Sequence, residues 1–155
     1  MIRGKILFMR SANVIHEVEQ RCARDSLRLT PTRRRVLELV LEADGPVKAY
    51  DLLDRLKAEQ PSAAPPTVYR ALDFLLEHHF IHRLETLNAF VSCFHPRHRH
   101  HGQFLICEQC GSVTEVPDRE LSLELASIAR KAGFEPARQV LEVYGLCSDC
   151  SSKRV

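Results

Sequence analysis

The chain has 155 residues, 45% of them hydrophobic and 27% charged, with a formal net charge of +2. That balance fits a soluble globular protein of one ordinary domain or two small ones, and excludes low-complexity and disordered classes. The first ten residues interleave Arg3, Lys5 and Arg10 with short apolar runs, unlike a signal peptide or a membrane span, so the expected compartment is the cytoplasm.

Ser11 is the expected cap of a first helix with Val14, Ile15, Val18 and Cys22 on one face. Thr30-Pro31 marks a second helix start, with Val36, Leu37, Val40 and Leu41 as its apolar stripe and Asp44-Gly45 as its close. A third helix is expected from about Val47, with Tyr50, Leu53 and Leu56 on one side, ending at Gln60-Pro61. A fourth starts at Ala64-Pro65-Pro66-Thr67 and carries Val68, Leu72, Leu75 and Leu76; His78 and His79 at its end suit the helix dipole. Two short strands follow, Phe80–Glu85 and Asn88–Phe94. Four helices and a hairpin in this order read as a winged helix-turn-helix, with the fourth helix in the recognition position. A generic helical bundle would share the helical part of that pattern.

The His/Arg-rich stretch 94–102 reads as a linker. Beyond it, strands are expected at Phe104–Cys107 and Ser112–Val116, a helix from an Asp118 cap to Lys131, and a strand over Arg138–Tyr144. The predicted organisation is α+β: a DNA-binding domain over 1–92, a hinge over 93–102, and a small α/β dimerisation domain over 103–155. The last is too small to be stable by its core alone. Its exposed strand edges and apolar helix face suit pairing with a second copy.

The chemistry divides along the same boundary. Residues 1–84 hold 14 Lys and Arg against 11 Asp and Glu, whereas residues 85–155 hold 8 against 9. Seven of the eight histidines lie within 78–101 and five of the six cysteines from 93 onward. Cys107–Cys110 and Cys147–Cys150 are two Cys-x-x-Cys pairs, the first followed by Gly111, and together they supply the four thiolates of a structural zinc site. The competing assignment, redox dithiols or disulfides, fits poorly because both pairs sit at strand ends and the expected compartment is reducing.

A second constellation comprises His82, Cys93, His95, His98, His100, His101 and Glu115. Its plain reading is a solvated histidine loop. A Cys/His/carboxylate set is also a good tetrahedral zinc shell, and its members lie on both sides of the linker. Metal bound there would switch one domain against the other. Tyr50, Thr67, Tyr69 and Arg70 are the polar groups opening helices three and four, where helix-turn-helix proteins meet DNA, and Arg70 can pair with a guanine edge. Arg33 begins a run of three arginines that is either a solvated face or a phosphate contact. Cys22 is expected as a small buried hydrophobe.

Arg28-Leu-Thr-Pro-Thr-Arg33, Ala49-Tyr-Asp-Leu-Leu-Asp54, Pro65-Pro-Thr-Val-Tyr-Arg-Ala-Leu72 and the Cys107–Cys150 framework, in this order, resemble the Fur (ferric uptake regulator) family over about residues 12–150. Ala-Tyr-Asp-Leu-Leu-Asp and Ala71-Leu-Asp-Phe-Leu-Leu-Glu77 are most similar to its zinc-responsive members. The resemblance implies a homodimeric winged-helix repressor with zinc as corepressor, binding AT-rich palindromic operators of zinc-uptake genes, and no enzymatic activity. By position it implies regulatory zinc ligands at His82, Cys93, His100 and Glu115, with His98 and His101 as alternatives for the third. With the four-cysteine set, that makes two Zn2+ per chain. It also implies DNA contacts at Tyr50 and Arg70. Iron-type members carry a histidine three residues before the first knuckle cysteine, where this chain has Phe104. Residues 1–9 have no counterpart in the family, and the tail after Cys150 is short. The rival readings are a family sensor of iron or nickel, a zinc-stapled protein-interaction module, and a zinc deaminase. The last lacks its His-x-Glu, and Ile106 stands where Pro-Cys-x-x-Cys requires proline.

Overall fold

The computed structural model describes residues 3–43, 45–93, 95–97, 102–116 and 119–154, with side chains from residue 12 to 153. The expectations resting on Asp44, Phe94, His98, His100, His101 and Asp118 therefore lie outside the described residues. The chain forms two compact units, Met1–Arg99 and His100–Val155.

The first unit holds α1 (Arg3–Arg24), α2 (Pro31–Glu42), α3 (Ala49–Glu59), α4 (Pro65–Glu77), β1 (Ile81–Leu84) and β2 (Ala89–Ser92). Helix α1 begins at Arg3, so Ser11 lies inside it rather than at its start. Residues 5–10 are largely straight-chain or apolar helix formers, and only Gly4 works against propagation. Thr30 caps α2 as expected, its Oγ1 accepting from the Arg33 amide at 3.3 Å, with Pro31 at the first helical position. Helix α3 starts at Ala49. Val47 instead exchanges both backbone hydrogen bonds with Phe90 of β2, which ties the approach to α3 onto the hairpin. The buried stripe of α3 is Leu52, Leu53 and Leu56. Tyr50, 70% exposed, points away from it, a correction to the expected face.

Helix α4 ends in a Schellman motif: the Phe80 amide donates to Leu75 O, the His79 amide donates to Leu76 O, and His79 takes φ +56°. The backbone of the two terminal histidines thus shapes the turn into β1. Helix α2 is the hub of the core, burying Val36, Leu37, Leu39, Val40 and Leu41 against α1, α3, α4 and β2. The antiparallel register pairs Ile81 with Ser92 and His82 with Val91. Helices with this hairpin give the winged-helix arrangement.

The second unit holds β3 (Gly102–Cys107), β4 (Val113–Glu115), α5 (Arg119–Lys131), β5 (Val140–Gly145) and a short α6 (Ser148–Ser151). Strand β3 starts two residues before the expected Phe104 and lies central, antiparallel to β4 and parallel to β5. Helix α5 makes the crossover that a parallel pair needs. Gln103 of β3 donates to Ser122 Oγ of α5 at 2.7 Å, and a second Schellman motif closes the helix at Gly133 (φ +75°). Among the described residues α5 buries none of its side chains; Leu123, Ile128 and Phe134 are exposed, as are Leu105, Val140, Val143 and Tyr144 of the sheet. No described helix is long and apolar enough to cross a membrane.

Candidate metal centres and nucleic-acid face

Strand register builds the first candidate site. Parallel pairing sets Cys107 opposite Gly145, and the Glu108 amide donates to Gly145 O at 2.9 Å, so both Cys-x-x-Cys segments leave the same end of the sheet. On one side, the Gly111 amide donates to Cys107 O and Gly111 adopts φ +70°, the left-handed conformation that the knuckle turn requires. On the other, Cys147 is the N-cap residue of α6, and the Cys150 amide returns to its carbonyl at 3.1 Å. The four sulfurs lie within 4.8 Å of one another, with Cys110 Sγ 3.8 Å from Cys147 Sγ. A tetrahedron with metal–sulfur bonds of about 2.3 Å has edges of about 3.8 Å. The donor set and its spacing therefore fit zinc. Among the described residues, which include all six cysteines, no disulfide forms.

The electrostatics prepare two of these thiols, Cys107 and Cys110, for a cation. The Cys147 amide, donating to Cys107 Sγ at 3.4 Å, leads the groups that lower the Cys107 pKa to about 6. The Ser112 hydroxyl, 3.2 Å from Cys110 Sγ, leads those that lower the Cys110 pKa. Cys150 moves the other way, to about 12, because a side-chain hydrogen bond with Cys147 and then burial favour its protonated form.

The second candidate set begins on the hairpin. His82 pairs with Val91, so Cys93, two residues further along, is its diagonal neighbour on the same face. Both side chains are buried, and their ligand atoms lie within 4.8 Å of each other. The Cys93 amide donates to Phe80 O at 3.1 Å, which continues the ladder by one pair. Glu115 ends β4 in the second unit, with Phe104 opposite it on β3. Phe104 is buried and apolar, so this position offers no metal ligand.

Tyr50, Tyr69 and Arg70 are exposed on the opening turns of α3 and α4, with Thr67 half-buried beside them. Arg33 is placed differently from the expectation. Its guanidinium lies 3.8 Å from the centroid of the Phe74 ring and donates to Arg28 O at 2.6 Å. Arg34 pairs with Glu19 and Glu38, while Arg35 is held by Glu38, Glu42 and Glu59. The arginine run therefore binds helices α1, α2 and α3 together, and its charge is spent on nearby carboxylates and an aromatic face. Sequence reasoning also missed Arg21, which is buried on α1. A cation within an apolar helical stripe was the available signal.

Residues 24–144 match the family model described as the ferric uptake regulator family. The chain is 42% identical over 138 residues to the zinc uptake regulation protein of Escherichia coli (strain K12), covering 88% of this chain and 81% of that one. It is 32% identical over 126 residues to the zinc uptake regulation protein of Mycobacterium tuberculosis (strain ATCC 25618 / H37Rv), covering 81% and 96%. Among solved structures, a zinc uptake regulator complexed with zinc and DNA matches with a TM-score of 0.85 at 40% identity, over 93% of this chain and 97% of that chain. The crystal structure of holo XcZur matches with a TM-score of 0.83 at 48% identity, over 89% and 96%.

Proposed function

Because the chain belongs to the ferric uptake regulator family, we propose that it is a zinc-responsive transcriptional repressor. As a dimer with its regulatory site filled, it binds palindromic AT-rich operators of zinc-uptake genes. It is a DNA-binding regulator of the cytoplasm and has no enzymatic role. The observation that carries the zinc assignment is the presence of two separate thiolate-bearing sets. One is the four-cysteine cluster at the end of β3 and β5; the other starts from the buried pair His82 and Cys93 on the wing hairpin. Thiolate with imidazole selects zinc over magnesium, calcium or manganese.

Two zinc ions per chain are assigned distinct duties. Cys107, Cys110, Cys147 and Cys150 hold a structural ion, for which the closed four-sulfur shell leaves no open position. His82, Cys93, His100 and Glu115 hold the regulatory ion, and bound zinc supplies a charge that ties these side chains together. Cys93 must be a thiolate and His82 neutral to serve, so acid weakens the response. With the site filled, the DNA-binding units of a dimer are held in the arrangement that spans two half-sites; with it empty, operator affinity drops by the fraction of molecules in that arrangement. Tyr50, Thr67, Tyr69 and Arg70 form the DNA-facing set, and Arg33 is reassigned to the fold. The exposed apolar side chains of α5 and β5 supply the dimer surface.

The buried, apolar Phe104 disfavours the iron-sensing alternative. The deciding experiment measures operator binding by the purified protein with zinc and with chelator. Tight binding that chelation abolishes and zinc alone restores is expected. Equal affinity in the two conditions would overturn the corepressor reading and favour an interaction module stapled by zinc.

A further inference from the structure

Helix α1 carries a buried cation that reaches the segment leaving the hairpin. Arg21 is 5% exposed, between Val18 and Cys22 in a stripe that is otherwise apolar. Its guanidinium donates to Pro96 O at 2.8 Å, approaches Asp25 at 3.4 Å and lies 4.9 Å from the centroid of the Phe80 ring. One turn earlier on α1, Glu17 pairs with Arg97 at 2.7 Å. Two side chains four residues apart thus grip two consecutive residues of the segment, 75 positions away in sequence in the case of Arg21 and Pro96. Phe80 is shared: its carbonyl accepts the Cys93 amide, and its ring packs 6.2 Å from Phe74 of α4.

We propose that Arg21 is a positioning residue for the zinc response, holding the chain that follows Cys93 against α1 so that Cys93 and His82 are set with respect to α4. This rests on the zinc-responsive reading above. Pro96 stands three residues after Cys93 and two to five before His98, His100 and His101. A buried guanidinium is expensive to desolvate, and an apolar side chain of similar length would serve the core as well or better. The arginine is explained by the carbonyl that it holds.

The test uses the full-length dimer, a duplex selected by the wild-type protein from random DNA in saturating zinc, and zinc competition against a chromophoric chelator. In Arg21→Met the midpoint of zinc-dependent operator binding is expected to rise about tenfold, as when a charge-assisted hydrogen bond stops holding the competent arrangement. The melting temperature and the zinc bound by the four knuckle cysteines stay as in wild type, and Arg21→Lys recovers part of the response. If Arg21→Met fails to fold, the Glu17–Arg97 pair decides. Glu17→Arg and Arg97→Glu should each shift the midpoint by about twofold to fivefold, and the double swap should restore it. An unchanged midpoint in Arg21→Met, or single and double swaps that behave alike, overturns the proposal. If the wild-type protein selects no duplex in zinc, the functional reading itself fails.

Discussion

Replacing Cys107 with serine is the sharpest perturbation of the second unit, because its packing is so sparse. Among the described residues the buried large apolar side chains there are Phe104 and Ile106, next to Cys107 and Cys150. Burying a phenylalanine and an isoleucine contributes about 3–6 kcal/mol together. A structural four-ligand zinc site contributes about 10–16 kcal/mol of apparent binding free energy at neutral pH, all of it coupled to folding. The metal term exceeds the apolar term about twofold or more, and a serine hydroxyl does not deprotonate to replace a thiolate. Cys107→Ser is therefore expected to lose one bound zinc, the calorimetric transition of the second unit and the dimer, while the first unit, whose core is independent, still melts cooperatively. Cys93→Ser is expected to keep both transitions and the dimer and to lose only the zinc dependence of operator binding. Calorimetry, metal analysis and sedimentation on both variants check this. A Cys107→Ser protein that retains the second transition, or a Cys93→Ser protein that loses it, would refute the division between staple and switch.

Alanine at Tyr50 or Arg70 should weaken operator binding by about 1–3 kcal/mol in gel-shift titrations and leave the melting temperature in place, since both side chains are exposed. Arg33→Ala should do the reverse: it removes the guanidinium from the Phe74 face, costs about 1–2 kcal/mol in urea denaturation, and leaves the salt dependence of DNA binding unchanged. Leu37→Ala, at a fully buried point of α2, should cost the first unit about 2–5 kcal/mol in the same assay. The four-cysteine site should load zinc more weakly as pH falls. Cys107, lowered from 9.0 to about 6, contributes stability that is full above 9.0 and lost as pH falls through 6; Cys150, raised from 9.0 to about 12, still carries a proton at neutral pH that zinc must displace. Competition titrations over roughly pH 5 to 8 should show proton release throughout and a steeper loss below about 6; an affinity independent of pH would contradict the assignment.

How legible each feature was depended on whether its cause was local. The Thr30-Pro31 cap, the Pro65-Pro66 start and the cysteine knuckles are each written within four or five residues and appear where their chemistry places them. The face of α3 needed tertiary information. Tyr50, Leu53 and Leu56 share a plausible helical spacing, but the face that α3 buries is Leu52, Leu53 and Leu56, and Tyr50 is left outside. The role of Arg33 was illegible because its partners, Phe74 and Arg28 O, come from α4 and from the turn before α2. Val47 has the residue type of a helix start or a bridge, and only the wing strand opposite it decides between them. The first turns of α1 were hidden by an attractive Ser11 cap, whose neighbours simply continue the helix.

The parallel pairing of β3 with β5 also bears on how the second unit reaches its fold. Parallel strands cannot meet through a tight turn, so Gly102 finds Val140 only after everything between them has been drawn in. Cys110 and Cys147, 37 residues apart, face the same closure, for which the length-dependent entropy is about 3 kcal/mol. An ion held first by one knuckle acts as a tether that captures the other and presents β5 to β3 in register. Metal arriving early would then be a folding catalyst as well as a ligand, and refolding with zinc present from the start would outpace refolding with zinc added late.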